Sequence, residues 1–337
     1  MDSESRSEKT TTPVVEPIER VEQPRERGRF VAKPIRARRI VAIGGGKGGI
    51  GKSLISANLG IELASRGKRV TLIDLDLGGA NLHTCLGLDH PESTLSDFIL
   101  RRAETLDEVA VPTGVNGLQL ISGSLDSINA ANPMHQQKLR LMRAVQDLDT
   151  DVALLDLGAG SHFNVLDFFL LADNGIVTLV PEPTSVENAY RFLKAALFRR
   201  LKAAQAVHGL SWGIDEVISS GKNVSPMKIL EEVSAKDPIL GEKLEAEIRA
   251  FRPMLLVNSL REAADLTLGE GICTAWRRFF GLDLTYLGYV RHDAEAWKAG
   301  RARRPLLLER RDQPIAEDLA EIADKLLQTQ VRRGGDR

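Results

Sequence analysis

Cysteine is scarce in this chain, and what there is does not cluster. The 337 residues contain two, Cys85 and Cys273, far apart and in no CxxC pair. That spacing excludes a disulfide scaffold and a cysteine-rich metal or cluster site, and it fits a reducing cytoplasm. Long apolar runs are also missing. One of the most apolar stretches, Phe163 to Val180, is interrupted by Asp167, Asp173 and Asn174, and the first thirty residues hold no apolar core of a signal sequence. A membrane span and a secretory leader are therefore not expected. Charge of one sign is not in excess: 45 Lys and Arg face 46 Asp and Glu, a net charge of -1. The molecule as a whole is drawn neither to nucleic acid nor to anionic lipid, so any such affinity must come from a local patch.

What is present is ample apolar material, 43% of residues, enough for one large domain or two small ones. Residues 1–38 stand apart. They are rich in Ser, Thr, Pro, Glu and Arg, without hydrophobic periodicity, and read as a polar, basic tail unable to offset its ordering entropy. Between Arg20 and Arg39 that tail holds eight basic residues against Glu22 and Glu26, so it can touch a phosphate-rich or acidic surface.

From Arg39 onward, β-branched runs alternate with amphipathic stretches in the rhythm of βαβ units, which implies a doubly wound α/β fold: a mostly parallel sheet covered by helices on both faces. Strands are expected at Ile40–Ile43, Arg69–Asp74, Leu118–Ile121, Val152–Asp156, Gly175–Val180, Met254–Asn258 and Leu284–Val290. Helices are expected near Lys52–Arg66, Pro133–Leu148, Phe163–Ala172, Val186–Val207, Ala263–Phe280 and Ile315–Gln330. Residues 208–252 read as a helical insertion, the folded domain as 39–331, and 332–337 as a second short tail.

The first strand runs into Gly44-Gly45-Gly46-Lys47-Gly48-Gly49-Ile50-Gly51-Lys52-Ser53, and Gly46 to Ser53 satisfies GxxxxGK[ST] between a strand and a helix. Glycines let backbone N–H groups wrap a phosphate chain that side chains would block. The helix opening at Lys52 turns its positive end toward those phosphates, Lys52 reaches their terminal oxygens, and the Ser53 hydroxyl suits Mg²⁺. The expected ligand is a nucleoside triphosphate with magnesium.

Later strands end in carboxylates. Asp74 and Asp76, two residues apart, leave the second expected strand on one side. Asp156 closes an apolar strand and is followed by Gly158 and Gly160, which give the segment freedom to move when a γ-phosphate arrives. Asn258 ends another strand and offers an amide with both a donor and an acceptor for a base edge.

Lys47 inside the loop, giving KGGxGKS, resembles the deviant Walker A motif of the MinD/ParA family of dimerising P-loop ATPases. The resemblance spans about residues 39–310 and implies ATP as ligand, with an ATP-dependent homodimer in which Lys47 reaches the nucleotide of the other subunit. It further implies that Asp76 orients the attacking water, that Asp74 supports the magnesium shell, and that Asp156 holds a magnesium-bound water. Gly158 becomes the γ-phosphate sensor and Asn258 the adenine reader. Arg291 stands where relatives usually carry a proline in the second wall of the base pocket. Gly46, Lys47, Gly48, Gly49, Ile50, Gly51, Lys52 and Ser53 would cradle the phosphates.

The segments DLDLGGANLHTCLG, DLGAGSHFNVLDFFLLAD and PEPTSVENAYRFLK look most like the FlhG/FleN branch, MinD-like regulators of flagellar number and placement. The activation helix typical of that branch is not visible in residues 1–38. Slow hydrolysis, stimulated by an unidentified protein activator, would make the nucleotide state a positioning or assembly switch. Two surfaces are open to such a dimer. The stripe Ile315, Leu319, Ile322, Leu326 and Leu327 resembles a peripheral membrane helix, although its acidic polar face favours docking on the core. Arg191, Lys194, Arg199, Arg200 and Lys202, with Lys298, Arg301, Arg303 and Arg304, offer a nonspecific DNA footprint of the ParA kind. The alternatives are an iron–sulfur carrier of the Mrp type, which requires a CxxC absent here, and a scaffold that binds nucleotide without hydrolysing it.

Overall fold

The computed structural model describes residues 39–329, apart from 78, 124–134, 208–224, 295 and 310. The two tails and residues 208–224 of the expected insertion lie outside the described residues. Eight strands form one sheet: β1 (Arg39–Gly44), β2 (Val70–Leu75), β3 (Val111–Pro112), β4 (Leu118–Ile121), β5 (Val152–Leu157), β6 (Asn174–Leu179), β7 (Met254–Leu260) and β8 (Thr285–Arg291). Their order is β3-β4-β2-β5-β1-β6-β7-β8, and every pairing is parallel except β3 with β4. The central strands are buried along their whole length because both faces are covered, as all-parallel sheets require.

The helices are α1 (Lys52–Ser65), α2 (Leu82–Cys85), α3 (Leu95–Ile99), α4 (His135–Gln146), α5 (Phe163–Leu171), α6 (Pro183–Val207), α7 (Pro226–Lys236), α8 (Pro238–Ala250), α9 (Leu268–Phe280), α10 (Ala296–Arg301), α11 (Leu306–Glu309) and α12 (Pro314–Gln328). They divide the core into two layers. On one face α3 to α9 pack around Phe98, Phe169, Phe192 and Trp276; on the other, α1, α11 and α12 pack around Ile55, Leu59, Leu306 and Leu319. The described part of the expected insertion is helical. Ser225 and Asp237 cap α7 and α8 through their side chains, and each cap is followed by a proline at the first helical position.

Helix α12 is fastened to the body at three places, each by an arginine. Arg39, the first residue of β1, donates to the carbonyls of Leu326 and Thr329 at the helix C-terminus, where cations are favoured. Arg66 donates to Ala320 O and Asp324, and Arg291 to Asp318 and Pro314 O. Its apolar stripe is spent in the core: Ile315, Leu319, Ile322 and Leu326 are all buried. Among the described residues no helix is long and apolar enough to cross a membrane.

Candidate functional site

The strand ends deliver all the expected groups to the carboxyl edge of the sheet. β1 and β5 run side by side with Ile43 opposite Asp156, and β2 pairs with β5 so that Asp74 stands opposite Asp156. Between β1 and α1 the loop bends back at Gly51, whose φ of 84° is a left-handed conformation that glycine adopts without strain. No side chain caps α1. Its first N–H groups therefore point into the loop, ready for an anion. Gly48 and Gly49 are exposed at the loop's tip, and Ile50 is buried beneath it.

A side chain at Gly46 has no room. An added Cβ would stand 2.3 Å from Asn188 O on α6, so the loop rests on the first turns of that helix. Opposite, Asn258 Nδ2 donates to Ile50 O at 2.8 Å, with Asn258 8% exposed. The amide braces the loop and leaves its oxygen as the end able to accept a hydrogen bond.

The two loop lysines differ in environment. Lys52 is buried, and desolvation lowers its pKa against the opposing pull of Asp156 and Asp76. Lys47 is half-exposed; its Nζ lies 2.8 Å from Glu182 Oε2, in the turn between β6 and α6. Pro181 and Pro183 flank Glu182, and Ser185 Oγ accepts Val180 N–H, so this acid sits on a stiff support.

Asp156 is buried and accepts from the hydroxyls of Ser53 and Ser56, the latter at 2.9 Å. Burial pushes its carboxyl up to about 6 despite those hydrogen bonds and Lys52. Asp74 is also buried; desolvation first, then the charge of Asp156, raises it to about 7. Its two oxygens accept the backbone N–H groups of Asp76 at 3.1 Å and Leu82 at 3.0 Å. The Asp74 carboxylate thus braces the turn that presents Asp76. A Cβ on Gly158 would stand 3.1 Å from Asp76 Oδ1, so Gly158 and Asp76 are packed together, while Gly160 N–H donates to Gly45 O at 3.2 Å. Segments following β2 and β5 are in this way joined to the phosphate loop.

A hard divalent cation fits the donors present, the hydroxyl of Ser53 and the carboxylate of Asp156. Among the described residues no group of three or more His, Cys, Asp or Glu could hold a metal, so such an ion would complete its shell with phosphate oxygens and water, as Mg²⁺ prefers.

Two expectations change. The Arg291 guanidinium is turned away from a base pocket and onto α12, where Asp318 and Glu317 attract it and hold its pKa above the usual arginine value. The basic footprint is largely neutralised: Arg191 pairs with Glu187, Arg199 with Asp167, Arg200 with Glu247, Arg303 with Asp89 and Arg304 with Glu309. The sequence reading missed Glu182, Ser56 and Asn188. Of these only Glu182 carried a signal, an acid between two prolines directly after an expected strand.

A glycine-rich loop opening an uncapped helix, a hydroxyl bonded to a strand-end carboxylate and a buried lysine together define a P-loop NTPase of the doubly wound class. Comparison with known proteins agrees. The ParA family model, described as NUBPL iron-transfer P-loop NTPase, matches residues 36–203. The antiactivator FleN of Pseudomonas aeruginosa is 36% identical over 156 residues, 46% of this chain and 55% of FleN, so that match spans about half of the relative. The septum site-determining protein MinD of Synechocystis is 31% identical over 289 residues, 80% of this chain and 98% of that protein. The solved MinD of Aquifex aeolicus superposes with a TM-score of 0.56 at 18% identity, covering 87% of this chain and 98% of that one. The chain belongs to the MinD/ParA family of P-loop NTPases.

Proposed function

We propose that this protein is an ATP-dependent molecular switch of MinD/ParA type: ATP favours a homodimer, slow hydrolysis returns it to monomers, and the nucleotide state governs cellular positioning or assembly. The observation that carries the reading is the contrast between the two loop lysines. Lys52 is buried among the carboxylates of its own site, whereas Lys47 is held at the surface by a single exposed acid, free to be exchanged for a phosphate on a facing subunit.

In this reading Gly46, Gly48, Gly49, Ile50 and Gly51 surround the phosphates, and Ser53 and Asp156 hold Mg²⁺, which neutralises phosphate charge when bound. Asp74 stands behind them, bracing the turn at Asp76. Asp76 orients water, Gly158 senses the γ-phosphate through its N–H, and the free Asn258 oxygen accepts from an amino group of the base, which favours adenine. ADP lacks the γ-phosphate contacts, and that difference biases the equilibrium.

The FleN and MinD relatives support a positioning role in the cytoplasm, with a protein activator of hydrolysis, of the flagellar or the DNA-associated kind. The clamped α12 argues against that helix as a lipid anchor, and the paired arginines argue against a broad DNA footprint. The cysteines argue against an iron–sulfur carrier: Cys85 and Cys273 are unpaired thiols, each pushed up to about 11 first by burial.

The test is light scattering with Mg²⁺ and a nonhydrolysable ATP analogue, followed by phosphate release with ATP. A doubled mass with the analogue and not with ADP is expected. A monomer in both conditions overturns the reading.

A further inference from the structure

Strand β7 ends in a strained residue. Among the described residues three other than glycine have a positive φ, Arg101, Ser259 and Arg303, and of these only Ser259, at 59°, belongs to a strand. An L residue in that left-handed region carries a steric cost that glycine avoids. The register between β7 and β8 slips at the same place, between Val257 and Leu260. Ser259 gains one contact in return: its Oγ shares a hydrogen bond of 3.0 Å with Nδ1 of His292, the residue that follows β8. That pair is open to solvent, and a hydrogen bond that water can replace returns too little to offset the backbone. Strain kept without a return in folding is a feature of ligand clamps.

The position of the pair says which ligand. Asn258, the preceding residue, spends its Nδ2 on Ile50 O of the phosphate loop and keeps its oxygen free. The sheet runs β1-β6-β7-β8 outward from that loop. A ligand with its phosphates at the end of β1 and its base against Asn258 on β7 therefore has the end of β8 as its next neighbour, about 5 Å farther on. Two large side chains stand there, and Asp318 and Glu317 on α12 take the Arg291 guanidinium. His292 is the planar group that remains. Its backbone N–H donates to Leu260 O at 2.8 Å while Ser259 holds its Nδ1, so both the chain and the ring are fixed.

We propose that His292 is the platform on which the base of the nucleotide stacks, and that Ser259 is a positioning residue holding the imidazole at the stacking angle. Asn258 then meets the edge of the base and His292 covers its face. Stacking accepts any purine, so the platform sets affinity while the Asn258 amide sets the choice of base. The inference rests on the nucleotide reading proposed above and adds the face of the base pocket.

The experiment measures ADP binding by titration calorimetry, and melting temperature without nucleotide, for the wild-type chain and for His292→Ala, His292→Phe and Ser259→Gly. ADP keeps the result independent of the γ-phosphate and of the dimer. His292→Ala should melt as the wild type does and bind ADP roughly tenfold more weakly, the scale of one lost base stack. His292→Phe should keep most of the affinity, because its ring still offers a face. Ser259→Gly should melt at or above the wild-type temperature, since the strain is gone, and yet bind ADP several-fold more weakly. A purely structural serine would not move those two readouts in opposite directions. Wild-type affinity in His292→Ala, or alanine-like affinity in His292→Phe, overturns the platform, and wild-type affinity in Ser259→Gly overturns the positioning role. A wild-type chain that binds no ADP overturns the nucleotide reading itself.

Discussion

Lys47 Nζ and Glu182 Oε2 lie 2.8 Å apart across 135 residues of chain, a salt bridge between the nucleotide loop and the turn that starts α6. Both side chains are substantially exposed, so the pair contributes about 0–1 kcal/mol to folding. Its importance is where it stores the lysine. Glu182→Ala should leave the melting temperature nearly unchanged and lower the ATP concentration needed for half-maximal dimerisation by a few-fold. Lys47→Ala should bind ATP and remain monomeric. Light scattering reads both, and a Lys47→Ala dimer of wild-type strength would remove the lysine from the interface.

Asp76 lies beside Gly158, at the end of a turn braced by Asp74. Asp76→Ala is expected to dimerise with ATP yet release phosphate at least a hundredfold more slowly, the scale of a positioned general base or water-orienting group. Unchanged turnover would take Asp76 out of the chemistry.

Gly46 is packed against the backbone of Asn188, with an added Cβ only 2.3 Å from its carbonyl oxygen. The obstacle is backbone, so it cannot rotate aside. Gly46→Ala should destabilise the protein by about 1–3 kcal/mol through overpacking and should weaken nucleotide binding. Thermal melting and titration with a fluorescent ATP analogue check the two effects.

Asp74 and Asp156 have folded-state pKa values near 7 and 6, both raised mainly by burial. Between about pH 4 and pH 7 the nucleotide-free folded state therefore holds more protons than the unfolded chain, so its stability falls as pH rises through that window. Melting temperature without nucleotide should decline from about pH 5 to about pH 7, and saturating Mg²⁺ and ATP should flatten the decline, because the cation favours the ionised carboxylate. A stability that rises with pH in the nucleotide-free protein would contradict the burial account.

How much of this was legible in the sequence depended on how local each cause is. Seven strands were readable as short apolar, β-branched runs; β3, two residues long with Pro112, was not. The short helices α2, α3, α10 and α11 contain too few turns to show a period, and the stretch expected as one helix over Ala263–Phe280 opens with a 3₁₀ turn at Ala263–Thr267 before α9. Lys52, Ser53 and Asp156 were recognisable because phosphate chemistry demands those residue types at strand ends. Glu182 as the partner of Lys47 was hidden, since the fold and not the chain brings them together. The orientation of Arg291 was hidden for the same reason: Asp318, 27 residues later, takes its guanidinium.

The three arginines along α12 join the last described helix to the strand from which the nucleotide loop springs, to the helix that follows that loop and to the edge strand β8. Deleting that helix would uncover the core layer on α1 and β8 that Leu319 and Ile322 cover, and would release the grip on Arg39 at the root of the loop. A truncated chain that no longer finds its place in the cell would therefore report a nucleotide pocket come undone, and would say nothing about whether an address had been cut away.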